Sequence, residues 1–182
     1  HGAGPPLVIA SCWLSHLQYD WQSPVWRHFL EDLGAVATTI RYDERGNGLS
    51  DHDVGDFGFE AMVEDFETVV DDLGLERFPI LGLSQGGAVA VTYAARHPER
   101  VSHLILCGTW AKSTRSDDYP FGWTDEDWSD FERSVREDWG KSPREAALPG
   151  AHDEAFLSWY AALMRQGASP RAILLLGEMS SA

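Results

Sequence analysis

Basic residues are scarce in this chain: 14 Lys and Arg stand against 29 Asp and Glu, a net charge of −15 over 182 residues. Such a surface repels phosphate on average, and no run of Lys or Arg offsets it, which argues against a nucleic-acid partner or an anionic membrane surface. Long apolar runs are missing as well; none approaches the roughly 18 residues of a spanning helix. Cysteine is limited to Cys12 and Cys107, both in apolar strand-like contexts without paired spacing, so the expectation is two buried free thiols rather than a disulfide or metal framework. His and acidic residues fall in no ligand spacing; "HDE" at His152 to Glu154 reads as the polar start of a helix, and no metal site is expected. "ERGNG" lacks the lysine of a phosphate loop, and the expectation is that no cofactor is needed. The opening "HGAGPPLVIA" carries neither Met nor a basic leader, which points to a cytoplasmic setting. Both that opening and the closing "LLLGEMSSA" read as cuts through a longer protein.

What is present suits one globular domain with a substantial core: 43% of the residues are hydrophobic and 12% aromatic. "PPLVIAS" is a short apolar run behind prolines, the pattern of a strand buried on both faces. "SPVWRHFLEDLG" opens on Ser-Pro and closes on Gly, which predicts a capped helix over residues 23–34. "AVATTIRYD" is a second strand. "GFEAMVEDFETVVDDLG" sets Met62, Phe66, Val69, Val70 and Leu73 at helical spacing with acids opposite. "RFPILGL" and "VSHLILCG" are further strands around the small-residue helix "QGGAVAVTYAARHP". Strands alternating with helices predict an α/β fold with a mostly parallel sheet and crossover helices. After Trp110 the pattern changes: "TDEDWSDFERSVREDWG", "DEAFLSWYAALMRQG" and "SPRAILLLGEM" are helical and no strand is evident. The expected division is a core over residues 1–110 and a helical cap over 111–182.

"GLSQGG" places Gly82, Ser84, Gly86 and Gly87 between an apolar strand and a helix. A sharp strand-to-helix turn forces its central residue into a strained backbone conformation, so the positions two away must be small. The turn exposes the Ser84 hydroxyl and aims the N-terminus of the following helix at it. The Gln85 N–H then faces any oxyanion that develops there.

"LGLSQGGAVAVTYAARHPERV" together with "IRYDERGNGLSD" resembles the central part of an α/β-hydrolase, the second stretch matching a D-x-R-G-x-G-x-S loop. The resemblance covers Gly4 to Gly108; "SHLQYDWQSPVWRHFLEDL" and "YDERGNGLSD" further resemble hydrolase domains fused to bacterial signalling or regulatory modules. It implies an α/β-hydrolase fold with Ser84 as nucleophile and with backbone N–H groups of Gln85 and Trp13 as oxyanion donors. Ser11 and Cys12 stand where the family carries His-Gly, a departure that restricts the loop before Trp13. Asp43 and Arg45 read as structural, tying down a tight loop beside Gly46 and Gly48. Epoxide or haloalkane hydrolysis is disfavoured, because those relatives carry Asp at the nucleophile position.

A nucleophilic serine needs a base and an acid to orient it. His97 lies at the far end of the helix after Ser84, His103 near the start of a strand, and His28, His52 and His152 read as structural. His16 follows the oxyanion loop and is a candidate base or pocket residue; Trp110 is a second pocket candidate. The family places acid and base on strands beyond the cap, and this chain ends before any such strand, so the expectation is that those C-terminal strands are missing. Many large aromatics lie between Trp110 and Met164, which favours an apolar or uncharged small-molecule acyl substrate. Two functions stay open: a serine hydrolase cleaving an ester or related acyl compound, and a small-molecule-sensing domain attached to a regulator with little turnover.

Overall fold

The computed structural model describes residues 1–141 and 153–181. His152, and with it the start of the "HDE" motif, lies outside the described residues. Four strands, β1 (Pro6–Ala10), β2 (Thr38–Ile40), β3 (Phe78–Leu83) and β4 (Val101–Cys107), pair in parallel in the order β2-β1-β3-β4. Seven helices accompany them: α1 (Leu17–Asp20), α2 (Trp26–Val36), α3 (Phe59–Asp72), α4 (Gly86–Arg96), α5 (Asp125–Asp138), α6 (Glu154–Gly167) and α7 (Pro170–Ser181).

The alternation of side chains along β1 sorts the core into two layers. Leu7 and Ile9 point to one face, where Phe29 and Leu33 of α2 cover them with Ala37 and Leu81. Val8 and Ala10 point to the other, into a larger cluster with Phe78, Ile80, the α3 stripe Met62, Val63, Phe66 and Val70, and Val89, Ala90 and Tyr93 of α4. Burying the four α3 side chains contributes on the order of 1.5–3 kcal/mol each, which is what keeps so acidic a helix in place. On its polar side, Glu60 pairs with Arg96 and Asp71 with Arg100.

Chain order reverses direction at β1, whose neighbours are β2 on one side and β3 on the other. Loops leaving the carboxyl ends of β1 and β3 therefore diverge from a shared crevice, the place where open α/β sheets take ligands. Residues 11–17 and Ser84 occupy it.

Helix α2 continues past Gly34, its expected stop, to Val36. The missing side chain there is filled from outside: a Cβ on Gly34 would lie 2.6 Å from the imidazole of His1. The expectation of two buried thiols is not met: Cys12 is half-buried, and Cys107, on β4 at the edge of the four described strands, is exposed. Along β4, Leu104, Ile105 and Leu106 are 38%, 48% and 44% exposed. Helix α5 starts at a full capping box, with Thr124 and Asp127 bonding each other's backbone N–H. Trp139 Nε1 donates to Ala168 O (3.0 Å), Trp159 Nε1 to Tyr19 O (3.2 Å) and Gly48 N–H to Gly167 O (2.7 Å), which fastens the C-terminal helices over the crevice. No helix among the described residues is long and apolar enough to cross a membrane.

Candidate active site

Ser84 leaves β3 at φ +50 and the chain enters α4 at Gly86. For a residue with a side chain this conformation costs about 1–3 kcal/mol and persists only where its surroundings enforce it. They do so here. Ser84 N–H donates to Cys107 O on β4 (3.0 Å), and Ser84 O accepts from Gly87 N–H (3.1 Å). A Cβ on Gly86 would lie 2.4 Å from Ala10 O, and one on Gly82 would lie 2.7 Å from Gly87 Cα. Glycine is thus required on both sides of Ser84 because α4 presses onto the ends of β1 and β3.

The loop leaving β1 is gripped from across the crevice by residues 43–47. Asp43 Oδ1 accepts Leu17 N–H (2.9 Å), its Oδ2 accepts Leu49 N–H (2.9 Å), and Ser15 Oγ accepts Glu44 N–H (3.0 Å). Asn47, wholly buried, accepts Leu14 N–H on Oδ1 (3.1 Å). Leu14 stands at φ +64, the second side-chain-bearing residue in that region beside Ser84 among the described residues. Arg45 turns away from Asp43: its Nε and Nη2 clasp both carboxylate oxygens of Asp65 (2.7 Å each) and its other donors reach the Asp56 and Ala61 carbonyls. Asp43 and Arg45 therefore tie the loop separately, one to the β1 loop and one to α3.

The two expected oxyanion donors differ. Gln85 opens α4, and its N–H points from the helix N-terminus, where an anion is favoured. Trp13 N–H already donates to Gln85 Oε1 (3.1 Å), whose amide group also reaches Met62 Sδ from Nε2 (3.7 Å).

None of the described histidines is hydrogen bonded to Ser84. His16 caps α1 instead, its Nδ1 accepting Tyr19 N–H (3.3 Å), and it does not line the neighbouring cavity. His52 Nε2 lies 2.9 Å from Gly48 O, and His97 Nε2 lies 3.1 Å from Glu67. His28 and His103 are exposed. No group of three His, Cys, Asp or Glu side chains among the described residues is placed to hold a metal.

Trp13 and Gln85 also border a cavity of about 300 Å³, walled by Trp110, Trp123, Trp128, Phe131, Ile173 and Leu176. Its walls come from the loop after β4 and from α5 and α7. Lys112 lines it too, with its ammonium held by Asp118 (2.6 Å), which leaves little free positive charge for an anionic ligand.

Beneath the β1 loop lies a second polar group. Glu44 is buried with Oε2 unpartnered, and burial, with the nearby Asp65, pushes its carboxyl up to about 8. Burial likewise pushes the Cys12 thiol up to about 12, so it stays protonated and unreactive at neutral pH.

Three comparisons bear on this arrangement. A family described as the alpha/beta hydrolase fold matches residues 5–155. The pimeloyl-[acyl-carrier protein] methyl ester esterase of Nitrosomonas europaea is 28% identical over 173 residues, 93% of this chain and 64% of that protein. An esterase from Exiguobacterium antarcticum superimposes with a TM-score of 0.78 at 26% identity, over all of this chain and 68% of its own. The bromoperoxidase from Bacillus anthracis gives 0.79 at 23% identity, a likeness of fold alone. The chain spans less than two thirds of the length of several curated relatives that it matches, 24% of an epoxide hydrolase of Xenopus tropicalis and 64% of the Nitrosomonas europaea esterase among them.

Proposed function

The chain belongs to the α/β-hydrolase family, and from that premise we propose that it carries the nucleophile of a serine hydrolase acting on a carboxylic ester or related acyl compound. The observation that carries this reading is Ser84 held at φ +50 on the turn between β3 and α4, a strain that helix capping alone does not require. Ser84 Oγ attacks the acyl carbonyl, its proton passes to a base, and the carbonyl oxygen takes negative charge beside the Gln85 and Trp13 N–H groups. Collapse expels the alcohol and leaves an acyl-enzyme that water hydrolyses. No described histidine is hydrogen bonded to Ser84, and on this reading the base and its orienting acid lie outside the described residues. Residues 1–110 form the core and 111–182 a cap. The aromatic walls under that cap fit an apolar or uncharged acyl group, and the named ester hydrolase and esterase among the relatives support the class.

In the full-length protein, Ser84→Ala is expected to cut p-nitrophenyl ester turnover by at least ~10³-fold and to abolish fluorophosphonate labelling. Turnover that survives the change defeats the nucleophile assignment. A second reading, a small-molecule-sensing domain of a regulatory protein, draws on the same aromatic cavity and on a Ser84 to which no described histidine is hydrogen bonded. It predicts ligand binding by the wild type with neither turnover nor labelling.

A further inference from the structure

The Trp13 N–H, one of two donors facing the proposed reaction, is not vacant: Gln85 Oε1 accepts from it at 3.1 Å. One N–H makes one well-formed hydrogen bond, so a substrate oxygen and the Gln85 carboxamide compete for it. Among the described residues the carboxamide is steadied on its other side by a sulfur contact alone, Nε2 to Met62 Sδ at 3.7 Å, and it borders the cavity of about 300 Å³, which gives it somewhere to go. Its backbone N–H opens α4 whatever the side chain does.

We infer that the Gln85 side chain is an internal stand-in for the substrate carbonyl, which covers the Trp13 donor at rest and yields it as negative charge builds on the reacting oxygen. This rests on the serine-hydrolase reading above. Its chemical sense is in the ranking of acceptors. An ester carbonyl is a weaker acceptor than a carboxamide, so a bound ester leaves the Gln85–Trp13 bond closed. An alkoxide-like oxygen is a stronger one, since charge-assisted hydrogen bonds are roughly twice as strong as neutral ones. The second donor is thereby reserved for the transition state, where added binding raises rate rather than merely holding substrate.

The test uses the full-length protein with p-nitrophenyl butyrate as probe. Gln85→Met keeps the length of the side chain and removes the acceptor. KM is expected to fall and kcat/KM to rise by about three- to tenfold, the span of one net hydrogen bond. Gln85→Glu puts a carboxylate on the N–H; kcat/KM is expected to fall and to recover as the pH is lowered through the titration of that carboxylate. A fall of kcat in Gln85→Met with KM unchanged overturns the inference, because the carboxamide would then be propping the Trp13 loop. Amide hydrogen exchange at Trp13 reads the contact without turnover: faster exchange in Gln85→Met is expected, and an unchanged rate overturns it. If the wild type neither hydrolyses the ester nor reacts with a fluorophosphonate, the hydrolase reading fails and takes the displacement role with it, even where the exchange data uphold the contact.

Discussion

Leu14 holds a left-handed backbone because Asn47, wholly buried, takes its N–H. Asn47→Ala leaves that donor without a partner, and a loss of about 1–3 kcal/mol is expected in a denaturant titration. Glu44 makes the reverse case. Its folded pKa of about 8 lies above the ordinary 4.5, so the folded state binds a proton that the unfolded state has released. Stability therefore falls as pH rises from about 4.5 to 8 and is flat above that range. Thermal melts of Glu44→Gln should lack this slope and exceed wild type most clearly at and above pH 8. The strained serine was legible in the sequence because three glycines crowd it. The destinations of Asn47 and of the Gln85 amide were not, since their partners lie 33 and 72 residues away. An asparagine wedged between two glycines was the signal available for the first; nothing local marked the second.

Among elements, the strand–helix alternation was readable from period and punctuation, but the boundary between α2 and β2 was not: Ala35 and Val36, expected to open the strand, close the helix, and β2 is reduced to Thr38–Ile40. Helix α1 escaped notice because a four-residue turn has no periodicity; it exists through the His16 cap and the Asp43 grip on Leu17. The exposure of Cys107 was hidden for a different reason, since sequence does not say which strand takes the edge. The α4–β1 contact sets the tolerance of the nucleophile turn. Gly86→Ala drives a methyl group to within 2.4 Å of a main-chain oxygen that has no rotamer to escape by. A loss at or beyond the upper end of ~1–3 kcal/mol is expected, measured by calorimetry, with any residual fold unable to hold Ser84 in place.

For the whole molecule, strand order decides both what is sheltered and what is bare. Among the described residues β4 pairs on one side only and carries the exposed Leu104, Ile105 and Leu106, a template for pairing with another strand. These 182 residues produced alone should associate with rising concentration in light scattering, and Ile105→Lys should reduce that association. The same order sets the two N–H donors just beyond neighbouring strands, β1 and β3, whose ends are in register, Ala10 opposite Gly82. The Asp43 and Asn47 hold on the β1 loop adds a last consequence. Both grip main-chain N–H groups and neither grips a side chain, so the path of the loop is insulated from the identity of residue 13. A library randomised at Trp13 can redraw the wall of the cavity while its backbone donor stays where it is, which makes substrate preference at this position open to stepwise evolution.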